Sequence, residues 1–192
     1  MSLDPAPGPP GEIADRAGED GPVLHGSFTL TLDLGVPPDR VFAAFAEPAL
    51  RKRWFRVPSE PGASHYELDF RVGGQEMARG AFAPAGVREH IEYRSQFLDI
   101  VADQRIVFSY ELTLDGRPRW ASLVTAELFP DDRGTHLSRT EQYAFLAYTG
   151  DGSQDVAHLK GSARLQLNGL AYAMTDGPGQ DAPGRPDPLT GS

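Results

Sequence analysis

Residues 153–174 read SQDVAHLKGSARLQLNGLAYAM, and their apolar side chains recur at steps of three and four. This period is typical of an α-helix with one buried stripe. Gly161 and Gly169 interrupt the pattern, at a cost of up to about 1 kcal/mol each relative to alanine. We therefore expect a long helix that either bends or packs very closely against another element. Its stripe consists of Val156, Leu159, Ala163, Leu167, Leu170 and Met174.

The chain before this helix is a series of strand patterns separated by turn residues. Apolar residues alternate with polar ones in YELDFRV, REHIEYRSQFLDI, RIVFSYELTL and RWASLVTAELF, as expected of strands that bury one face. Gly73-Gly74 and Asp115-Gly116 are turn signals between them. Because short turns join antiparallel neighbours, the pattern predicts a meander of about six strands.

The N-terminal part of the pattern adds one strand and two short helices. Alternation in SFTLTLDL, Ser27 to Leu34, predicts a strand with one buried face. Pro38 and Pro48 each suit the first turn of a helix, and Leu50 and Trp54 lie four residues apart on one helical face. The whole order predicts an α+β domain in which a curved antiparallel sheet wraps around the long C-terminal helix.

Composition limits both the extent of the domain and its function. The Pro/Gly-rich ends predict disordered tails at residues 1–22 and 176–192, with the folded domain at 23–175. A net charge of −9 argues against nucleic-acid binding. The sequence has no long apolar run, so no membrane association is expected. No signal-peptide pattern precedes the domain, which favours a cytoplasmic protein.

Four segments in this order resemble the SRPBCC or START-like superfamily. They are VPPDRVFAAFAEPALRKRWF, ELDFRVGG, RIVFSYELTLDG and SLVTAELFPDDRGTHLSRTEQYAF. The branch is similar to the C-terminal domain of the heat-shock-protein-90 ATPase activator (Aha-type). The resemblance covers about residues 25–175 and implies a helix-grip fold, which often encloses an apolar cavity.

The segment GTHLSRTEQYAF places two charges where apolar residues belong. Arg139 and Glu141 share the strand face of Leu137, because side chains alternate with period two. In a helix-grip domain they would be the polar features of a mostly apolar cavity, a usual pattern for a small-molecule site. Two alternatives stay open: an internal ion pair, or exposure at a splayed sheet edge.

Aromatic residues at alternating strand positions are further cavity candidates. Plain core packing is the simpler explanation of these residues, because it requires no function. If the two tyrosines are buried, each phenol needs a hydrogen-bond partner. Trp54 lies at the end of the second short helix, where it either closes the mouth of the cavity or packs inward. The candidates are Trp54, Tyr93, Phe97, Phe108, Tyr110 and Trp120.

Residues for other kinds of site are missing from the sequence. The histidines, at positions 25, 65, 90, 136 and 158, have no metal-ligand spacing, and the chain has no cysteine. We find no nucleophile elbow and no phosphate-binding loop. We therefore predict no metal, no cofactor and no catalytic residue.

Three functions remain open, and a binding domain for a small apolar or aromatic ligand is favoured. One alternative is a protein-interaction module similar to the co-chaperone domain, and a homodimer or another protein partner also stays open. A further alternative is a cyclase or dehydratase in which Glu141 acts with Tyr93 or Tyr110. A cavity of a few hundred cubic ångströms would favour binding or catalysis, and a filled interior would favour interaction.

Overall fold

A computed structural model describes residues 22–83 and 87–175. The predicted tails lie outside the described residues, except for Pro22 at the edge of the first. The element order is β1 (Leu24–Leu34), α1 (Pro38–Ala46), α2 (Pro48–Trp54), β2 (His65–Leu68), β3 (Gln75–Phe82), β4 (Glu89–Val101), β5 (Arg105–Leu114), β6 (Arg117–Asp131), β7 (Gly134–Phe145) and α3 (Ser153–Thr175).

The seven strands form one curved antiparallel sheet in the order β1-β7-β6-β5-β4-β3-β2. The predicted meander is confirmed, because β2 to β6 each pair with the next strand along the chain. β1 joins at the far side by pairing with β7, with Leu24 opposite Phe145. The α+β helix-grip fold is therefore confirmed, with two short helices after the first strand.

Helix α3 supplies the stripe that packs on the sheet. The residues buried along it include Leu159, Ala163, Leu167, Leu170 and Met174, as predicted, whereas Val156 is only half-buried. A Cβ atom built on Gly169 would lie 3.4 Å from the carbonyl oxygen of Trp54, so the end of α2 passes close to the helix there. Gly161 is exposed and faces open space. The distance at Gly169 is an ordinary van der Waals contact, so neither glycine is required by the very close packing that was expected.

The strand predicted over YELDFRV is shorter than its alternation suggests. β2 ends at Leu68, because the chain already turns at Asp69. The Asp69 N–H donates to the carbonyl of Gln75, and a Cβ at Gly74 would lie 2.2 Å from the Asp69 carbonyl oxygen. Gly73 has a φ of +79°, which glycine adopts without strain. The turn therefore includes residues that alternate like a strand.

Helix α2 presents a different face to the core from the one predicted. Its buried residues are Arg51 and Trp54, whereas Leu50 is only half-buried. Trp54 packs inward, with its ring centroid 4.8 Å from that of Phe45, and its Nε1–H donates to the carbonyl of Ala44 at 2.9 Å. Because α2 buries the cation of Arg51, this guanidinium needs a counter-ion in the interior.

Candidate functional site

A cavity of about 360 Å³ lies between α3 and the concave face of the sheet. Alternation along β4, β5 and β6 directs one side chain in two toward the helix, and these residues form one wall. Leu159, Ala163 and Leu167 of α3 form the opposite wall. The end of α2 and the loop after it border the cavity, where exposed Arg56 and Pro58 mark an open mouth.

The structure brings all but one of the predicted site residues to this cavity. Phe97 does not line it; its ring is buried against Phe70 and Phe108, at centroid distances of 4.9 and 6.1 Å. Binding of a ligand by the others stays a prediction. The predicted residues on the wall are Trp54, Tyr93, Phe108, Tyr110, Trp120, Arg139 and Glu141.

Arg139 and Glu141 form an ion pair under the sheet, so they do not lie at an exposed edge. Glu141 is fully buried and Arg139 is 8% exposed. Arg139 Nη1 lies 2.7 Å from Glu141 Oε2. Within residues 22–83 and 87–175, however, neither atom has a hydrogen-bond partner of acceptable geometry. The two charges are thus compensated, but Arg139 Nη1 and Glu141 Oε2 are not satisfied by hydrogen bonds.

Two further side chains extend the pair into a chain of polar contacts. The Tyr110 hydroxyl donates to Glu141 Oε1 at 2.5 Å, and the Trp120 Nε1–H donates to the Tyr110 oxygen at 3.0 Å. Burial and the Glu141 carboxylate both raise the pKa of Tyr110. The phenol therefore remains protonated and holds the carboxylate in place.

Sequence reasoning missed a second buried pair, between α2 and β3. Arg51 Nε and Nη2 donate to the two carboxylate oxygens of Glu76, each at 2.8 Å, and the Tyr66 hydroxyl donates to Glu76 Oε1 at 2.7 Å. The guanidinium also lies over the rings of Trp54 and Phe55, at 4.1 and 4.3 Å from their centroids. Burial lowers the pKa of Arg51, but the Glu76 carboxylate outweighs it and raises that pKa.

One signal in the sequence points to this pair. Glu76 alternates in phase with Ala78 and Gly80 of QEMARGAF, so it lies on a strand face of small residues. A carboxylate on a buried face requires a cation or several donors. Arg51 itself gave no signal, because it lies in the basic run Arg51-Lys52-Arg53 at a helix end.

The remaining aromatic wall is continuous. The Tyr93 ring lies 4.8 Å from that of Phe55 and 5.0 Å from that of Tyr110, centroid to centroid. Burial, followed by the charge of Glu76, raises the pKa of Tyr93 well above its usual value. A ligand would therefore meet neutral rings on the sheet side of the cavity.

The described residues contain neither a candidate metal-binding cluster nor a helix able to cross a membrane. No group of three or more His, Asp or Glu side chains there could hold a metal ion. None of the helices described combines the length and hydropathy that crossing a bilayer requires.

Comparison with known proteins identifies the domain. Residues 35–171 match the model of a family described as activator of Hsp90 ATPase homolog 1-like protein. The chain belongs to this family. The match covers most of the chain, and it confirms the resemblance to the SRPBCC-type, Aha-like branch.

Solved structures of similar proteins share the fold of this domain. A Rhizobium loti protein is 40% identical, with 80% of this chain and 99% of that chain covered and a TM-score of 0.68. A Rhizobium leguminosarum protein is 30% identical, with 80% and 97% covered and a TM-score of 0.68. A Staphylococcus aureus protein of unknown function, 15% identical with 80% and 95% covered and a TM-score of 0.60, shows the shared fold alone. A comparison with curated proteins found no match.

Proposed function

We propose that this Aha-like domain binds a small apolar or aromatic molecule between α3 and the sheet. The cavity itself carries the proposal. Its volume of about 360 Å³ falls within the range of small-molecule sites, roughly 300–1,000 Å³. Its walls are mainly aromatic and aliphatic, with a few polar groups that converge from β5 and β7. That combination gives affinity through apolar contact and orientation through the polar groups.

The side chains on the helix wall support the proposal. Ser162 and Ala163 are small and both face the cavity, where larger side chains would fill the space. Unfilled volume is destabilising because the atoms that line it lack packing partners. A wall of small residues at this place therefore suits a protein that keeps room for a ligand.

The cavity also favours ligand binding over an interaction module, and the polar groups on its wall disfavour a cyclase-type enzyme. A module that acts only through its outer surface gains nothing from an interior space of this size. A cyclase-type mechanism would need an acid or base that exchanges protons near neutral pH. The Tyr110 phenol, with its raised pKa, is a poor acid there, and Glu141 is already held by Tyr110 and Arg139.

Filling the cavity tests the proposal. Ala163→Phe places a ring into the space, and Ala157→Phe makes the same change on the exposed face of the same helix. Native mass spectrometry of protein purified from its own host should show a bound small molecule in the wild type and in Ala157→Phe. The adduct should be lost in Ala163→Phe.

A second readout covers the case in which the ligand dissociates during purification. Both tryptophans of the chain, Trp54 and Trp120, line the cavity, so their fluorescence should respond to small aromatic compounds. The response should saturate in the wild type and vanish in Ala163→Phe. Equal responses of both variants, or none from the wild type, would contradict the proposed function.

A further inference from the structure

Two polar atoms on the cavity wall have hydrogen-bonding capacity that the domain itself does not use. They are Arg139 Nη1 and Glu141 Oε2, and within residues 22–83 and 87–175 neither has a hydrogen-bond partner. Both side chains are more than nine-tenths buried, and both line the cavity. A buried polar atom without a partner loses its hydration without compensation. These two atoms therefore favour a ligand that bonds to them.

The neighbours of Glu141 determine which of its oxygens a ligand can reach. Oε1 accepts from the Tyr110 hydroxyl, whose oxygen accepts in turn from the Trp120 Nε1–H. This chain fixes the carboxylate and leaves Oε2 for a ligand, 2.7 Å from Arg139 Nη1. The nitrogen can only donate and the oxygen can only accept. The wall thus presents one donor and one acceptor side by side.

The buried charges at the cavity balance one another. Among the described residues of the wall, the buried arginines are Arg51 and Arg139, which are compensated by Glu76 and Glu141. An anion bound at Arg139 would place a second carboxylate against that of Glu141, and a cation would face the guanidinium. Like charges repel strongly where water is excluded. An uncharged group avoids both conflicts.

We infer that the ligand is an uncharged aromatic molecule with a carboxamide head group, as in a primary amide or a lactam. Its carbonyl accepts from Arg139 Nη1, and its N–H donates to Glu141 Oε2. This inference rests on the proposed function and names its ligand class. A carboxamide carries its acceptor and its donor on one carbon, so it matches two adjacent protein atoms. The cavity volume equals that of about a dozen liquid waters, so one or two fused rings fit.

Three matched probes test the head group. 2-Naphthamide carries both the acceptor and the donor. 2-Acetonaphthone has a methyl group in place of the NH2 group, and 2-naphthoate has a charged oxygen there. Isothermal titration calorimetry at pH 7 should give naphthamide at least about a fivefold higher affinity than either, because the other two displace water from Oε2 without supplying a donor. Physiological salt screens the charges at the exposed mouth.

Glu141→Gln should reverse the order of the charged and the uncharged probe. The variant keeps the shape of the side chain but leaves Arg139 without its counter-ion. Naphthoate matches a guanidinium through two parallel N–H···O bonds, so it should now bind more tightly than naphthamide. It should also raise the melting temperature of this variant more than that of the wild type.

Arg133→Gln is the matched control for this substitution. Arg133 is exposed in the turn between β6 and β7, away from the cavity. The variant should therefore keep the order of affinities that the wild type shows.

Each other outcome has a definite meaning. Equal affinities of the wild type for naphthamide and acetonaphthone would overturn the carboxamide inference and leave the proposed function intact. The same holds if the wild type prefers naphthoate, or if Glu141→Gln keeps the wild-type order. Failure of all three probes to bind would overturn the proposed function, and this inference with it.

Discussion

Two buried arginine–glutamate pairs lie under the same sheet, and they are built differently. Arg51 and Glu76 come from different elements and meet through two hydrogen bonds of 2.8 Å, with a third from Tyr66. Arg139 and Glu141 are two residues apart on β7 and approach to 2.7 Å without hydrogen-bond geometry. One pair is saturated by the protein, and the other retains unused hydrogen-bonding capacity.

This difference separates a structural role from a binding role. Desolvation of a buried ion pair is offset only when further hydrogen bonds satisfy both groups. The Arg51 pair meets this condition and fastens α2 to β3. The Arg139 pair does not, and both of its members lie on the cavity wall, to which the other pair contributes only Arg51. We therefore expect the Arg51–Glu76 pair to contribute more to the stability of the domain. The interaction between Arg139 and Glu141 should change when a ligand occupies the cavity.

The largest expected effect comes from breaking the saturated pair. Glu76→Ala leaves the Arg51 cation buried without its counter-ion, and it should lower the free energy of unfolding by about 3–5 kcal/mol. Urea denaturation measures the change. Glu67→Ala is the control, because that side chain is 64% exposed and its loss should cost within about 0.5 kcal/mol. A Glu76→Ala variant as stable as the Glu67→Ala control would contradict the structural role of the Arg51–Glu76 pair.

Breaking the unsaturated pair should cost less. Glu141→Ala should destabilise by roughly 3 kcal/mol, and the double variant Arg139→Met with Glu141→Leu should recover much of it, because apolar side chains suit the cavity wall. A double-mutant cycle measures the coupling. The coupling should also change when a ligand is added. Coupling near zero with and without ligand would contradict a polar site in the cavity.

Removing one hydroxyl from each pair sharpens the contrast. Tyr110→Phe removes a hydrogen bond to Glu141 and leaves the Trp120 Nε1–H without its acceptor, at an expected cost of about 1.5–3 kcal/mol. Tyr66→Phe should cost less, because Tyr66 is only half-buried and Glu76 keeps both bonds from Arg51. Thermal denaturation of the two variants compares them. The reverse order would show that the Arg51 pair depends on its tyrosine.

The smallest effect appears only at alkaline pH. The pKa values of Tyr66, Tyr93 and Tyr110 are raised in the folded protein, mainly by burial. Above about pH 10 these tyrosines ionise in the unfolded chain but not in the folded one, so stability is constant below that pH and falls above it. At pH 10.5 the loss should be below about 1 kcal/mol per tyrosine. Denaturation midpoints between pH 8 and pH 11 measure it, and Tyr110→Phe should show a shallower decline.

Periodicity was sufficient to predict the fold. The three- and four-residue steps of α3 and the alternation of β4 to β7 are local patterns, so they are visible in one sequence. They also placed Arg139 and Glu141 on the buried face of β7, because both share the phase of Leu137. The same reasoning predicted too long a strand for β2, because the backbone turns at Asp69 although apolar and polar residues still alternate there.

The second pair could not be found in this way. Arg51 and Glu76 belong to α2 and β3, and their contact depends on how a short helix packs against a later strand of the sheet. Helical periodicity favoured the face of Leu50 and Trp54, yet Arg51 is buried with Trp54, because Glu76 and three aromatic rings surround the cation. Tertiary packing determined which face of α2 is buried.

The pairing of β1 with β7 has a consequence for biosynthesis. β1 emerges from the ribosome before every other described strand, but the residue opposite Leu24 is Phe145. At typical synthesis rates the gap corresponds to roughly ten seconds. During that time the apolar side chains of Phe28, Leu30 and Leu32 lack the strand with which β1 pairs in the folded domain. Closure of the domain is therefore a late event for the nascent chain. A holdase chaperone would find the most exposed apolar surface to bind during this interval.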